Sequence, residues 1–177
     1  MLFRSDGGNN GSPALEVGSN GTMDALVNGF TVQGGTVGLR AYGFRGRVRN
    51  VIAQNNLNFG IWTRTEGAFV QRFEDCIVRG NLSVGAWVQC AGLVEFFRLK
   101  AYNNAGGVGS DCGGPVRYID SIIYRNSGSG VNANVPTDLV NCTVADNTGV
   151  SLGLGASTMK VRNSVIMGAS RPLVTGG

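Results

Sequence analysis

The sequence predicts an all-β solenoid, one domain over residues 1–177 coiled into about seven rungs of three short parallel strands each. Three observations predict it. Gly29, Asn50, Asp75, Arg98, Asp120, Asn141 and Asn163 recur at intervals of 21 to 25 residues, and most are types that tolerate the left-handed backbone of a sharp bend. Asn56, Asn81, Asn104, Asn126 and Asn147 follow in a second register, six positions after the first. The chain also holds 29 Gly in 177 residues and is rich in Val, Ile and Asn, which suits strands and tight turns. A period near 22 would also fit leucine-rich repeats, but Leu is scarce and no helical periodicity appears.

Residues 1–24 read as an irregular segment or a first partial rung, 25–168 as the repeat, and 169–177 as a tail. Each rung opens on a strand whose inward residue lies two before the first anchor: Val27, Val48, Phe73, Phe96, Tyr118, Leu139, Val161. This column should stack three aromatic rings. The second strand alternates faces, with Phe30/Val32, Val51/Ala53, Cys76/Val78, Leu99/Ala101, Ser121/Ile123, Cys142/Val144 and Ser164/Ile166 inward. The opposite phase would bury Arg79 and Lys100. The Asn column closes the next bend and should hydrogen-bond from rung to rung. A Gly-containing turn then starts the third strand, with Leu39/Ala41, Ile61/Thr63, Ala86/Val88 and Val131/Ala133 inward, and Val108, Ser110 and Cys112 inward in a fourth turn one residue short. Cys90 and Cys112 then stand on neighbouring rungs, where a disulfide is geometrically conceivable; all four cysteines read best as small core residues. Cys76 and Cys142 lie three rungs apart, about 14 Å, beyond bridging distance.

The segments VRNVIAQNNLNFGI from residue 48 and NCTVADNTGV from residue 141 match a known generic repeat. Over roughly residues 25–168 the chain resembles a single-stranded right-handed parallel β-helix of the pectate-lyase-like superfamily. That resemblance implies polysaccharide binding across the third-strand sheet. In the lyases it implies an Arg or Lys base and calcium held by several Asp.

The outward positions of the third strands are Arg40/Tyr42, Trp62/Arg64, Trp87/Gln89, Gly109/Asp111 and Asn132/Asn134. Both tryptophans fall here, on adjacent rungs. An outward Trp is unusual unless something covers it, and this pair forms an aromatic floor flanked by amides and Arg, suited to recognising or processing a neutral or acidic polysaccharide. The competing reading packs the pair under a loop or another subunit. Candidate catalytic residues are Arg64, Glu66 and Asp111, with Arg40 as an alternative base. The chain has no His, which excludes Ser-His-Asp and Cys-His triads. It has no paired cysteines for zinc and no acidic cluster for calcium on this face, so no metal or cofactor is expected.

Net charge is +4, with 13 Arg and 2 Lys. Residues 40–72 are Arg-rich, but no nucleic-acid motif accompanies them and the field is weak, so a nucleic-acid partner is not expected. No run reaches the ~20 apolar residues of a membrane helix, and the opening MLFRSDGGNNGSP lacks a signal-peptide core; localisation stays open. The rival role is assembly. Ile52, Ile77, Ile122 and Val165, with Lys100 and Thr143 in their column, join Phe97, Ile119, Val140, Tyr102 and Tyr124 in an outward apolar strip that predicts self-association, or a fragment of a longer fibre.

Overall fold

The bends come first, because they decide where each strand stops. In the computed structural model, which describes residues 11–65, 67, 69–155, 157–168 and 171–175, all seven first-column residues hold positive φ: Gly29 at 79°, and Asn50, Asp75, Arg98, Asp120, Asn141 and Asn163 between 48° and 55°. Left-handed backbone costs a non-glycine residue roughly 1–2 kcal/mol, less for Asn and Asp, whose short side chains bond locally. A second left-handed column lies one residue before the Asn ladder, at Gly34, Asn55, Gly80, Asn103, Arg125 and Asp146.

Between the bends run twenty strands. They are β1 (Leu15–Asn28), β2 (Thr31–Gln33), β3 (Leu39–Arg49), β4 (Ile52–Gln54), β5 (Ile61–Thr65), β6 (Gln71–Glu74), β7 (Ile77–Arg79), β8 (Val84–Cys90), β9 (Val94–Phe97) and β10 (Lys100–Tyr102). Then follow β11 (Gly106–Gly113), β12 (Val116–Ile119), β13 (Ile122–Tyr124), β14 (Val131–Ala133), β15 (Thr137–Val140), β16 (Thr143–Asn147), β17 (Val150–Leu154), β18 (Met159–Arg162), β19 (Val165–Gly168) and β20 (Arg171–Thr175). Every pairing is parallel, each strand bonding to its equivalents one rung away. The strands stack into three faces. β2, β4, β7, β10, β13, β16 and β19 form a seven-stranded sheet. β1 and β3 run unbroken around one corner, so the other two faces form one 13-stranded sheet.

The core is the column set that the alternation predicts. Val27, Val48, Phe73, Phe96, Tyr118 and Leu139 are buried, and Phe96 stacks between Phe73 and Tyr118 with ring centroids 4.8 and 5.2 Å apart. The predicted inward pairs from Val51/Ala53 to Cys142/Val144 are buried as well. Four predicted core residues are not. Phe30 is 41% and Val161 42% exposed, and Ser164 and Ile166 are only half-buried. The reason is positional: Phe30 directly precedes β2, Val161 lies on β18, and Ser164 and Ile166 lie at β19, strands that end their sheets, so among the described residues no further strand covers them. Cys90 and Cys112 also depart from expectation. The β8–β11 register shifts after Asp111, which pairs Cys90 with Gly113 rather than with Cys112; both side chains lie outside the described residues. Cys76 and Cys142 are buried free thiols, and burial pushes the Cys76 thiol up to about 12.

The Asn ladder is complete from Asn56 to Asn147. From Asn56 to Asn126 each Nδ2 donates to the Oδ1 one rung on, at 2.8 to 3.1 Å. Each such Oδ1 also accepts the backbone N–H of the ladder Asn one rung back. A column not anticipated runs beside it. Gly38, Gly60, Gly85, Gly107 and Gly130 stand in equivalent places, and a Cβ on any of them would fall within 3.0 Å of a ladder amide and of the next rung's carbonyl.

The candidate functional site on the tryptophan-bearing sheet

Strand alternation sets this surface. With Ile61/Thr63 and Ala86/Val88 turned into the core, Trp62/Arg64 and Trp87/Gln89 must face out. The register aligns Arg40, Trp62, Trp87, Gly109 and Asn132 in one column and Tyr42, Arg64, Gln89 and Asp111 in the next. Asn134 lies just past β14 and donates its backbone N–H to Ser110. The predicted ligand-binding residues therefore share one face. Glu66, the remaining candidate, lies outside the described residues.

The two rings are held by different means. Trp62 donates its Nε1–H to Gln89 Oε1 at 3.1 Å, and the Arg40 guanidinium sits 4.7 Å from its ring centre. Such cation–π contacts contribute about 0.5–2 kcal/mol. Arg40 is also 3.8 Å from Glu16, and Arg64 lies 5.6 Å from the Tyr42 ring. Trp87 lies across Gly109, where a Cβ would collide with ring atoms Cε3 and Cζ3. Phe59, from the preceding turn, stacks on Trp87 at 5.8 Å and tilts against Trp62 at 6.3 Å. Phe59 was not singled out from the sequence; it sits in a turn, where strand alternation gives no signal. Both indoles end up half-buried rather than fully exposed. Beside Trp87 lies a depression of about 270 Å³, lined among others by Ser83, Gly109, Ser129 and Asn132.

Acidic groups on this face are few among the described residues. Asp111 is exposed, and Glu16 is engaged by Arg40. No group of three His, Cys, Asp or Glu able to hold a metal ion occurs among them.

The face formed by β6, β9, β12, β15 and β18 takes up much of the remaining charge. Arg72 and Arg117 both reach Glu95, at 2.9 and 3.4 Å, and Arg117 and Arg162 reach Asp138. Arg47 and Arg49 pair with Glu74. With the Arg40–Glu16 pair, four members of the Arg-rich stretch are thus tied into ion pairs across rungs. The apolar strip on the seven-stranded sheet is less continuous than its sequence suggests. On that sheet Ile122 and Val165 are 39% and 53% exposed, but Ile52, Ile77, Tyr102 and Tyr124 are half-buried, as are Phe97 and Ile119 at the adjoining ends of β9 and β12. The exposed ion pair of Arg98 with Asp75, at 2.6 Å, interrupts it at the corner. The Arg98 guanidinium, bonded to the Asp75 carboxylate, holds that carboxyl below its ordinary range.

With the rungs, ladder and faces in place, comparison with known proteins matches residues 15–167 to the family described as the right-handed beta helix region. The chain belongs to the right-handed β-helix family. No curated protein and no solved structure matches it. Membership agrees with the three parallel sheets and the handedness expected of parallel crossovers. It names no ligand, because function in a β-helix resides in the side chains its faces present.

Proposed function

We propose that the chain recognises a polysaccharide along the outer face of β3, β5, β8 and β11. One observation carries the reading: two indoles on adjacent rungs are held in place before any ligand arrives, Trp62 by Gln89 and Arg40, Trp87 by its seat on Gly109 and its stacking on Phe59. A pre-organised aromatic surface loses little conformational entropy on binding, and its apolar rings match the C–H face of a pyranose while neighbouring amides and hydroxyls take the hydroxyl groups. The arrangement supports binding further than cleavage. Glycoside hydrolysis needs two carboxyl groups about 5–10 Å apart, and the described acids of this face are Asp111 and the ion-paired Glu16.

The test is binding of the folded protein to an array of polysaccharides, with a Trp62→Ala/Trp87→Ala variant alongside and each incubation read for shortened or unsaturated products. Binding by the wild type that the variant loses supports the reading, and any products would add chemistry to it. A folded wild type that binds no glycan sinks it.

A second reading, self-association through the seven-stranded sheet, has its own support. Ile122 is exposed there, and Tyr102 and Tyr124 stack at 5.0 Å on the same outer surface.

A further inference from the structure

Resting on the glycan reading above, we propose that the sugar seated beside Trp87 is uncharged. The depression there is lined by Trp87, by small and aliphatic residues such as Val84, Ala105 and Gly109, and by the neutral polar residues Ser83, Ser129 and Asn132, with no ionisable side chain among its described lining residues. Its volume, about 270 Å³, lies just under the ~300–1,000 Å³ span of pockets for drug-sized ligands, which leaves room for about one sugar residue. Hydroxyls and a carboxamide both donate and accept, as sugar hydroxyls do. A carboxylate accepts only, and it is commonly met by an Arg fork or by several backbone N–H groups.

The cations of this face stand elsewhere. Arg40 is two rungs from Trp87 in the same column, about 9–10 Å along the axis. Its guanidinium lies over the Trp62 ring and beside Glu16, so it serves as a prop for the aromatic floor. Arg64 stands one rung away in the neighbouring column and lies over Tyr42. The formal charge on the same strand as the depression is negative. Asp111 lies two residues beyond Gly109 on the same outward face, about 7 Å along the strand, and is exposed. It opposes a uronate or sulfate at the Trp87 seat.

The test uses matched ligands: glucan, mannan and galactan oligosaccharides, each in its neutral form and after oxidation of C6 to the carboxylate. Binding is measured at low and at high salt for the wild type, Trp87→Ala and Asp111→Asn. A neutral form should bind and its oxidised partner should bind about twofold more weakly, the effect of one like charge ~10 Å away in water. High salt should close that gap by screening, and so should Asp111→Asn. Trp87→Ala should lose the neutral ligand. Equal or tighter binding of an oxidised form overturns this inference but leaves the glycan face standing. If the folded wild type binds neither form of any glycan, the glycan reading falls, and this inference with it.

Discussion

Asn104 shows how much one side chain does in this fold. Its Oδ1 accepts both the backbone N–H and the Nδ2–H of Asn81, while its own Nδ2 donates to Asn126 Oδ1 and to the Val78 carbonyl. The residue is buried, so removing its amide leaves donors on one side and acceptors on the other without partners or water. Asn104→Ala should cost about 2–4 kcal/mol, read as a lower urea midpoint with an unchanged slope. A loss within experimental error would mean that the ladder is ornamental to stability. This residue was legible because a ladder Asn recurs six positions after an anchor in rung after rung. The glycines beside it were not. With 29 glycines in the chain, one that is needed for space looks like one that merely allows a turn. Only the stacking of the next rung, whose Gly130 carbonyl and Ile123 methyl would each lie within 3.0 Å of a Cβ, shows why Gly107 must lack one. The sequence places Gly109 in the outward column beside Asp111, and the structure makes it the seat of Trp87.

A rung is the smallest element that means anything here, since each buries its inward residues only against its neighbours. Asp120 and Asn141 are equivalent anchors 21 residues apart, joined by a side-chain hydrogen bond. Deleting residues 120–140 would join Ile119 to Asn141, keeping β12, the bend and β16 in sequence. That protein should retain its β-sheet circular dichroism and unfold cooperatively at a lower temperature. Deletion of 120–130 alone breaks the register and should abolish cooperative unfolding; equal behaviour of the two deletions would refute the rung as the unit. The strand phases were readable because inward positions alternate with Arg79 and Lys100. The stack's limits were not. Phe30 and Val161 occupy core positions of the repeat, but a pattern does not record where coverage stops: Phe30 directly precedes β2 and Val161 lies on β18, strands that end their sheets. The ion-pair ladder through Glu95 was hidden for a related reason: its partners Arg72 and Arg117 lie 23 and 22 residues away.

For the molecule as a whole, three faces carry three surface chemistries: an aromatic floor, a ladder of ion pairs, and a mixed apolar sheet. The self-association reading concerns the third face. Ile122→Lys changes one exposed side chain in the middle of that sheet and touches no ladder residue. If this face joins copies, the substitution should reduce the mass measured by light scattering while leaving glycan binding intact. An unchanged mass would remove this face from any interface. Buried apolar area, not charge, would drive such contact, so the wild-type mass should hardly change with salt.

The bends differ in one further respect. From each first-column anchor to the next ladder Asn the count is always six, from Asn50 to Asn56 through Asn141 to Asn147. From the ladder-side glycine to the next anchor it varies, fifteen from Gly60 to Asp75 but eleven from Gly130 to Asn141. Apart from the one residue missing between Asn104 and Gly107, length variation therefore falls between the third strand and the next anchor, at a corner that borders the tryptophan sheet. Insertions there would lengthen a loop without displacing a core residue or a ladder amide, so new walls could be grafted beside the same aromatic floor and its selectivity rebuilt while the coil beneath stays as it is.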